Sequence, residues 1–156
     1  MRLYLVQHGE ALPEEKDPQR HLTATGERDA KKVARFLKPL ALSVSEVWHS
    51  GKARAAQTAE ILAPALAGKA KLVRREGLAP KDAVQPVREA VERFGEDLMI
   101  VGHLPLLEKL AASLVTGDKA DDVVGFQYGC IVCLDNATEE GGWQVAWMIV
   151  PELITA

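Results

Sequence analysis

Short apolar runs alternate with amphipathic stretches of helical period along nearly the whole chain, and that order admits few architectures. The runs at residues 2–6, 45–48, 71–73 and 98–101 read as strands. Between them lie helical stripes made first by Ala30, Val33, Ala34 and Leu37, then by Ala55, Ala59, Leu62 and Leu66, then by Val87, Val91 and Phe94. A further helix opens at Pro105 and carries Leu106, Leu107, Leu110, Ala111 and Leu114. The punctuation agrees. Thr23 or Thr25 can cap the first helix, with Glu27 and Asp29 in its early turns, and Pro39 stops it. The second helix is expected over 51–66, with Pro64 in its last turn, and Gly95 lies near the end of the third. Residues 128–134 and 143–150 look like two antiparallel strands joined through 139–142, with Trp143, Val145, Trp147 and Ile149 alternating toward a core. The whole pattern predicts an α/β fold with a mainly parallel sheet and an antiparallel C-terminal strand, built by residues 1–156 as a single domain.

Composition narrows the function classes. With 156 residues, 47% of them hydrophobic, and a formal net charge of −3, the chain can bury a core and is not disordered. A slightly acidic balance gives no footprint for wrapping nucleic acid, so none is expected as a partner. The opening apolar run ends at Gln7 and His8, too soon for a signal segment or a membrane span, and a cytoplasmic protein is expected. Cys130 and Cys133 are spaced C-x-x-C, but there is no second pair. Three apart on a strand, they would face opposite sides of the sheet, and they read as two buried thiols.

In a sheet of this kind ligands bind at the carboxyl ends of the strands, where the strand-to-helix connections leave. Three connections carry unusual residues: Gln7-His8-Gly9-Glu10, then His49-Ser50-Gly51-Lys52-Ala53-Arg54, then Gly102-His103-Leu104-Pro105. If their strands are parallel neighbours, His8, Arg54 and His103 converge on one edge. A glycine beside each histidine would let the backbone approach a ligand closely. His21 and His49 receive no role.

Four ordered blocks here resemble a known family. Gln7-His8-Gly9-Glu10, Arg20-His21-Leu22-Thr23 followed by Gly26, Ser50-x-x-x-Arg54-Ala55-x-Gln57-Thr58, and Val101-Gly102-His103 are together similar to the histidine phosphatase superfamily, most of all to its small SixA-type phosphohistidine phosphatases. The resemblance spans nearly the whole chain, including Leu78-Ala79-Pro80. It implies a three-layer phosphoglycerate-mutase-like fold, metal-independent phosphoryl transfer through a phosphohistidine intermediate, and no cofactor. At position 7 the chain departs from the family's usual Arg-His-Gly, because Gln7 precedes His8.

The chemistry follows from the residues as well. A neutral imidazole is a competent nucleophile near pH 7, and attack by His8 on phosphorus would give a covalent phosphoenzyme. Arg54 suits the equatorial oxygens through charge-assisted bonds, and His103, Gln7 and the backbone at Gly9 can add donors. An amide at position 7 in place of a cation costs about 1–2 kcal/mol per phosphate contact, which Arg20 is expected to offset in part. Imidazole leaves phosphorus with little or no dedicated acid, whereas a sugar alkoxide needs one. Glu76 is the candidate acid by position, and Glu10 is another. The expected substrate is therefore a phosphohistidine-bearing protein. Two alternatives remain, a small phosphate monoester or a non-catalytic phosphate- or phosphoprotein-binding module in which Gln7 marks lost turnover. A zinc hydrolase using His8, His103, Glu10 and His49 matches no ligand motif of the H-E-x-x-H kind.

Overall fold

The computed structural model describes residues 1–117 and 122–155. Six strands and four helices follow one another as β1 (Arg2–Gln7), α1 (Ala24–Leu37), β2 (Glu46–His49), α2 (Ala53–Leu62), β3 (Lys71–Arg74), α3 (Val84–Phe94), β4 (Leu98–Gly102), α4 (Leu106–Thr116), β5 (Ile131–Asp135) and β6 (Gln144–Ile149). They form one sheet in the order β3-β2-β4-β1-β5-β6. Strands β1 to β4 run parallel, β5 runs against β1, and β6 pairs antiparallel with β5. The expected α/β architecture, three layers with a mainly parallel sheet, is what the chain adopts.

The two-residue period of β1 builds both halves of the core. Leu3 and Leu5 face α3 and α4 through Val91, Leu107 and Leu110, while Tyr4 and Val6 face α1 and α2 through Val33, Leu37, Ala59 and Leu62. Central strands buried on both faces need continuous apolar runs, and all five residues of β4 are buried. Among the described residues no helix is long and apolar enough to cross a membrane.

Local signals place most element ends. Thr23 caps α1, its Oγ1 accepting the Gly26 amide at 2.9 Å. Gly95 ends α3 in the left-handed region at φ 67°. The second helix stops at Leu62, four residues short of expectation, because Pro64 converts its last turn into a 3-10 turn over Ala63–Ala65. The strand expected from residue 128 begins at Ile131, since Gly129 adopts φ 76° in the turn before it.

Even alternation does not hold through β6. A bulge pairs Cys133 with Trp147 but Leu134 with Val145, leaving Ala146 as the extra residue. That step sends Trp143 to the α3/α4 side and Trp147 to the α1/α2 side, and Val145 stays 41% exposed. Cys130 and Cys133 are free, buried, and on opposite faces as expected.

Candidate active site

Register brings the three connections together. Gln7 pairs with Gly102 across β1 and β4, and His49 pairs with Val101 across β2 and β4. His8 and His103 thus leave adjacent strands at the same level, with the His8 amide donating to the Gly102 carbonyl at 3.1 Å and ring centroids 5.0 Å apart. Arg54 arrives in the first turn of α2, after β2. The convergence expected of His8, Arg54 and His103 is present.

Each imidazole has a hydrogen-bond partner at one ring nitrogen, and for His8 that partner fixes the tautomer. His8 Nδ1 lies 2.7 Å from the Gly9 carbonyl, which can only accept, so Nδ1 carries the proton and Nε2 keeps its lone pair. His103 Nε2 lies 2.7 Å from Ser50 Oγ, which already accepts the Lys52 amide at 3.3 Å. In the tautomer that uses the hydroxyl's own proton, Ser50 donates to Nε2 and the ring proton of His103 sits on Nδ1.

Both rings are neutral at pH 7. Burial pushes the His8 imidazole down to about 4, against the pull of its bond to Gly9 and with help from the charges of Arg54 and Arg20. His103, 1% exposed, is pushed down to about 3 by burial first, then by His8, Arg54, Lys52 and Arg20. Arg54 is itself shifted down, by burial and by Arg20, yet a guanidinium stays charged. Among the described residues, three buried side-chain atoms have no hydrogen-bond partner: Gln7 Oε1, Arg54 Nε and His103 Nδ1. Arg54 and His103 belong to the converging set, and Gln7 stands next to His8 in the chain. Two are N–H donors, and turning over the Gln7 amide presents a third. A tetrahedral oxoanion carries acceptors for donors of this kind.

The loop that carries His8 is clamped from behind. The Gly9 amide donates to Thr58 Oγ1 at 3.1 Å, and Thr58 Oγ1 donates to the Arg54 carbonyl at 2.8 Å, so α2 fixes His8 and Arg54 relative to each other. Gln57 Oε1 accepts the Leu22 amide at 2.8 Å. A Cβ on Gly9 would stand 2.9 Å from the Gly26 carbonyl, and one on Gly26 would overlap the Glu10 carbonyl. Glycine at 9 therefore admits protein backbone rather than ligand, and with its amide and carbonyl both committed Gly9 orients His8. Likewise Gly102 makes room for Leu107.

Of the other expected residues, Arg20 stays near the site and the rest scatter. Arg20, in the left-handed region at φ 51°, donates from Nε to the Leu12 carbonyl at 3.1 Å and lines a cleft of about 540 Å³ with Lys52 and Arg54. Glu76 is exposed, in a second cleft of about 470 Å³ beside Arg74 and Arg75, and bonds to neither imidazole. Glu10 accepts the Thr23 hydroxyl at 2.8 Å at the cap of α1. His21 Nδ1 is 2.7 Å from Asp17, and His49 Nδ1 accepts the Gly51 amide. Among the described residues no three His, Cys, Asp or Glu side chains are grouped to hold a metal ion. Tyr128 was not foreseen. It reaches the site because β5 runs backwards, so the turn before it lies at the edge where the parallel strands end, and its ring centroid is 5.6 Å from that of His8.

A profile of the histidine phosphatase superfamily, branch 1, matches residues 3–83, which take in all but the first residue of β1, then α1, β2, α2 and β3, with His8 and Arg54. The chain belongs to that superfamily. An uncharacterised protein of Picosynechococcus sp. is 36% identical over 124 residues, 75% of this chain and 74% of that protein. Among solved structures, the protein histidine phosphatase SixA complexed with tungstate superposes with a TM-score of 0.83 at 26% identity, over 98% of this chain and 99% of that one. A phosphoserine phosphatase of Entamoeba histolytica in complex with 3-phosphoglyceric acid superposes with a TM-score of 0.70 over 94% and 95%, and at 15% identity it shares the fold alone. Superfamily and neighbours together support a phosphatase, that is, a phosphoric hydrolase.

The superfamily member's two uncharged imidazoles also set a pH dependence of stability. In the unfolded chain an imidazole takes up its proton near pH 6.5, whereas His8 and His103 resist until about 4 and about 3. Between those values the unfolded state binds more protons, so stability is fully present above about pH 6.5 and falls as pH drops through that window. From pH 6.5 to 5 each imidazole contributes a loss of about 2 kcal/mol. Urea unfolding at the two pH values checks this, and His103→Gln should remove its share. A profile flat across that interval would mean that the rings are not held neutral.

Proposed function

We propose that the protein is a phosphohistidine phosphatase acting on a phosphohistidine-bearing protein, with His8 as the nucleophile. The observation that carries this reading is the commitment of His8 Nδ1–H to the Gly9 carbonyl, which leaves Nε2 as the ring's one lone pair in a pocket shared with Arg54 and His103. Nε2 attacks phosphorus, the bond from phosphorus to the substrate's imidazole breaks, and that imidazole leaves with the electron pair and takes a proton from solvent. Arg54 and His103 hold the equatorial oxygens as charge redistributes. Water then attacks phosphorus, the P–Nε2 bond breaks, and phosphate leaves while His8 returns to its neutral state. No step needs a metal ion.

The position of the carboxylates favours this substrate class over phosphate monoesters. Glu76 is exposed and Glu10 is tied to Thr23, so neither stands as a proton donor for an alkoxide. Brief exposure to phosphoramidate should leave acid-labile phosphate on His8, located by mass spectrometry, and a phosphohistidine peptide should turn over faster than p-nitrophenyl phosphate with or without a chelator. Tight phosphate binding with no retained phosphate and no turnover would overturn the reading in favour of a binding module.

A further inference from the structure

Positive charge at the mouth exceeds what a phosphate group can use. Arg20, Lys52 and Arg54 are the cations whose charge acts on His8 and His103. Arg74 and Arg75 stand outside that set, in the second cleft. Among the described residues neither takes part in a salt bridge, nor do the other three. Both are nonetheless held in place. A Cβ on Gly51, which sits at φ +86°, would lie 2.9 Å from Arg74 Cδ and Cζ, so the bare backbone at 51 makes a seat for the Arg74 side chain beside the phosphate loop. Arg75 rests its guanidinium 4.2 Å above the Trp48 ring, and its amide donates to the His49 carbonyl at 2.9 Å.

The other side of the mouth has the opposite sign. A cleft of about 260 Å³ walled by Tyr128 is lined by Glu10, Asp29 and Glu152 and by no cation. A chain of net charge −3 thus presents a basic flank on the β3 side of its pocket and an acidic flank beyond Tyr128. Such polarity orients a charged partner through attraction on one side and repulsion on the other.

Building on the phosphohistidine reading, we propose that Arg74 and Arg75 form a docking surface for an acidic patch on the protein that carries the phosphate. A small phosphodonor has no second surface and does not sense them. Glu76 and Asp82 share the cleft and act alike on any polyanion, so the choice against nucleic acid rests on Trp48, which at 1% exposed offers no platform on which a base could stack.

The test uses two synthetic histidine peptides of equal length, one flanked by Asp and Glu and the other by Asn and Gln, both phosphorylated with phosphoramidate, beside phosphoramidate alone. The acidic peptide should have a kcat/KM about tenfold higher at low salt, an advantage that shrinks as salt rises. Arg74→Glu and, separately, Arg75→Gln should erase it by raising KM, with kcat and phosphoramidate turnover unchanged. Fluorescence anisotropy of the unphosphorylated acidic peptide should follow the same order. That measurement reports docking even if neither phosphopeptide is hydrolysed, a result that would sink the phosphohistidine reading alone. Equal kcat/KM for the two peptides, binding unaffected by both substitutions, or displacement of the acidic peptide by an oligonucleotide more readily than by polyglutamate of equal charge would overturn the docking surface.

Discussion

His8→Ala should lower turnover of phosphoramidate and of a phosphohistidine peptide by at least about 10⁴-fold, while binding of inorganic phosphate stays within about tenfold of the unaltered protein. The asymmetry follows from how the site is built. In the proposed reaction His8 supplies the attacking lone pair, and the bond from Nδ1 to the Gly9 carbonyl fixes the tautomer and leaves Nε2 free to attack. Arg54, His103 and Gln7 hang from α2, the end of β4 and the end of β1, and none depends on the His8 ring for its place. The oxoanion pocket should therefore survive. Steady-state kinetics beside calorimetric phosphate titration separates the two effects. Turnover close to normal would remove His8 as nucleophile, and a parallel collapse of phosphate affinity would mean that its loss had disturbed the pocket.

The elements were legible in the sequence because each obeys a local rule. The stripe Ala30, Val33, Leu37 needs a helix, Thr23 needs a helix to cap, and a run such as 98–101 needs a sheet covered on both faces. The convergence of His8, Arg54 and His103 was legible only as a consequence of parallel neighbours, for strand order is a long-range property that no local pattern encodes. What stayed hidden depends on other parts of the chain. Gly9 reads as an opening for a ligand until Gly26 is known to press against it, and Thr58 reads as an ordinary helix residue until the Gly9 amide is found on its hydroxyl. Tyr128 gives no signal at all, since its role rests on the reversed direction of β5. Trp143 and Trp147 show the converse failure, a local alternation broken by one bulged residue of β6, Ala146. Gly9, Gly26 and Thr58 thus serve as fasteners behind the site.

Arg54→Ala should reduce kcat by about 10²–10³-fold, the scale expected when a donor aimed at developing charge is lost from a water-poor site. Its guanidinium carries a buried Nε–H without a protein acceptor, and the two imidazoles beside it are uncharged at pH 7, so the positive charge near the phosphoryl oxygens is its own and that of Arg20 and Lys52. Gln7→Arg should act in the other direction. A cation at position 7 beside the same pocket would add about 1–2 kcal/mol to phosphate binding, roughly a tenfold gain. If the side chains at 7 and 54 serve the same oxygens, their effects cannot be additive, and the double variant should recover at least tenfold of the activity lost in Arg54→Ala alone. Phosphate inhibition constants and kcat for the four proteins of this cycle decide the point. Strict additivity would separate Gln7 from the phosphoryl group, and near-normal kinetics in Arg54→Ala would take the guanidinium out of the site and leave its charge no closer to the reaction than those of Arg74 and Arg75.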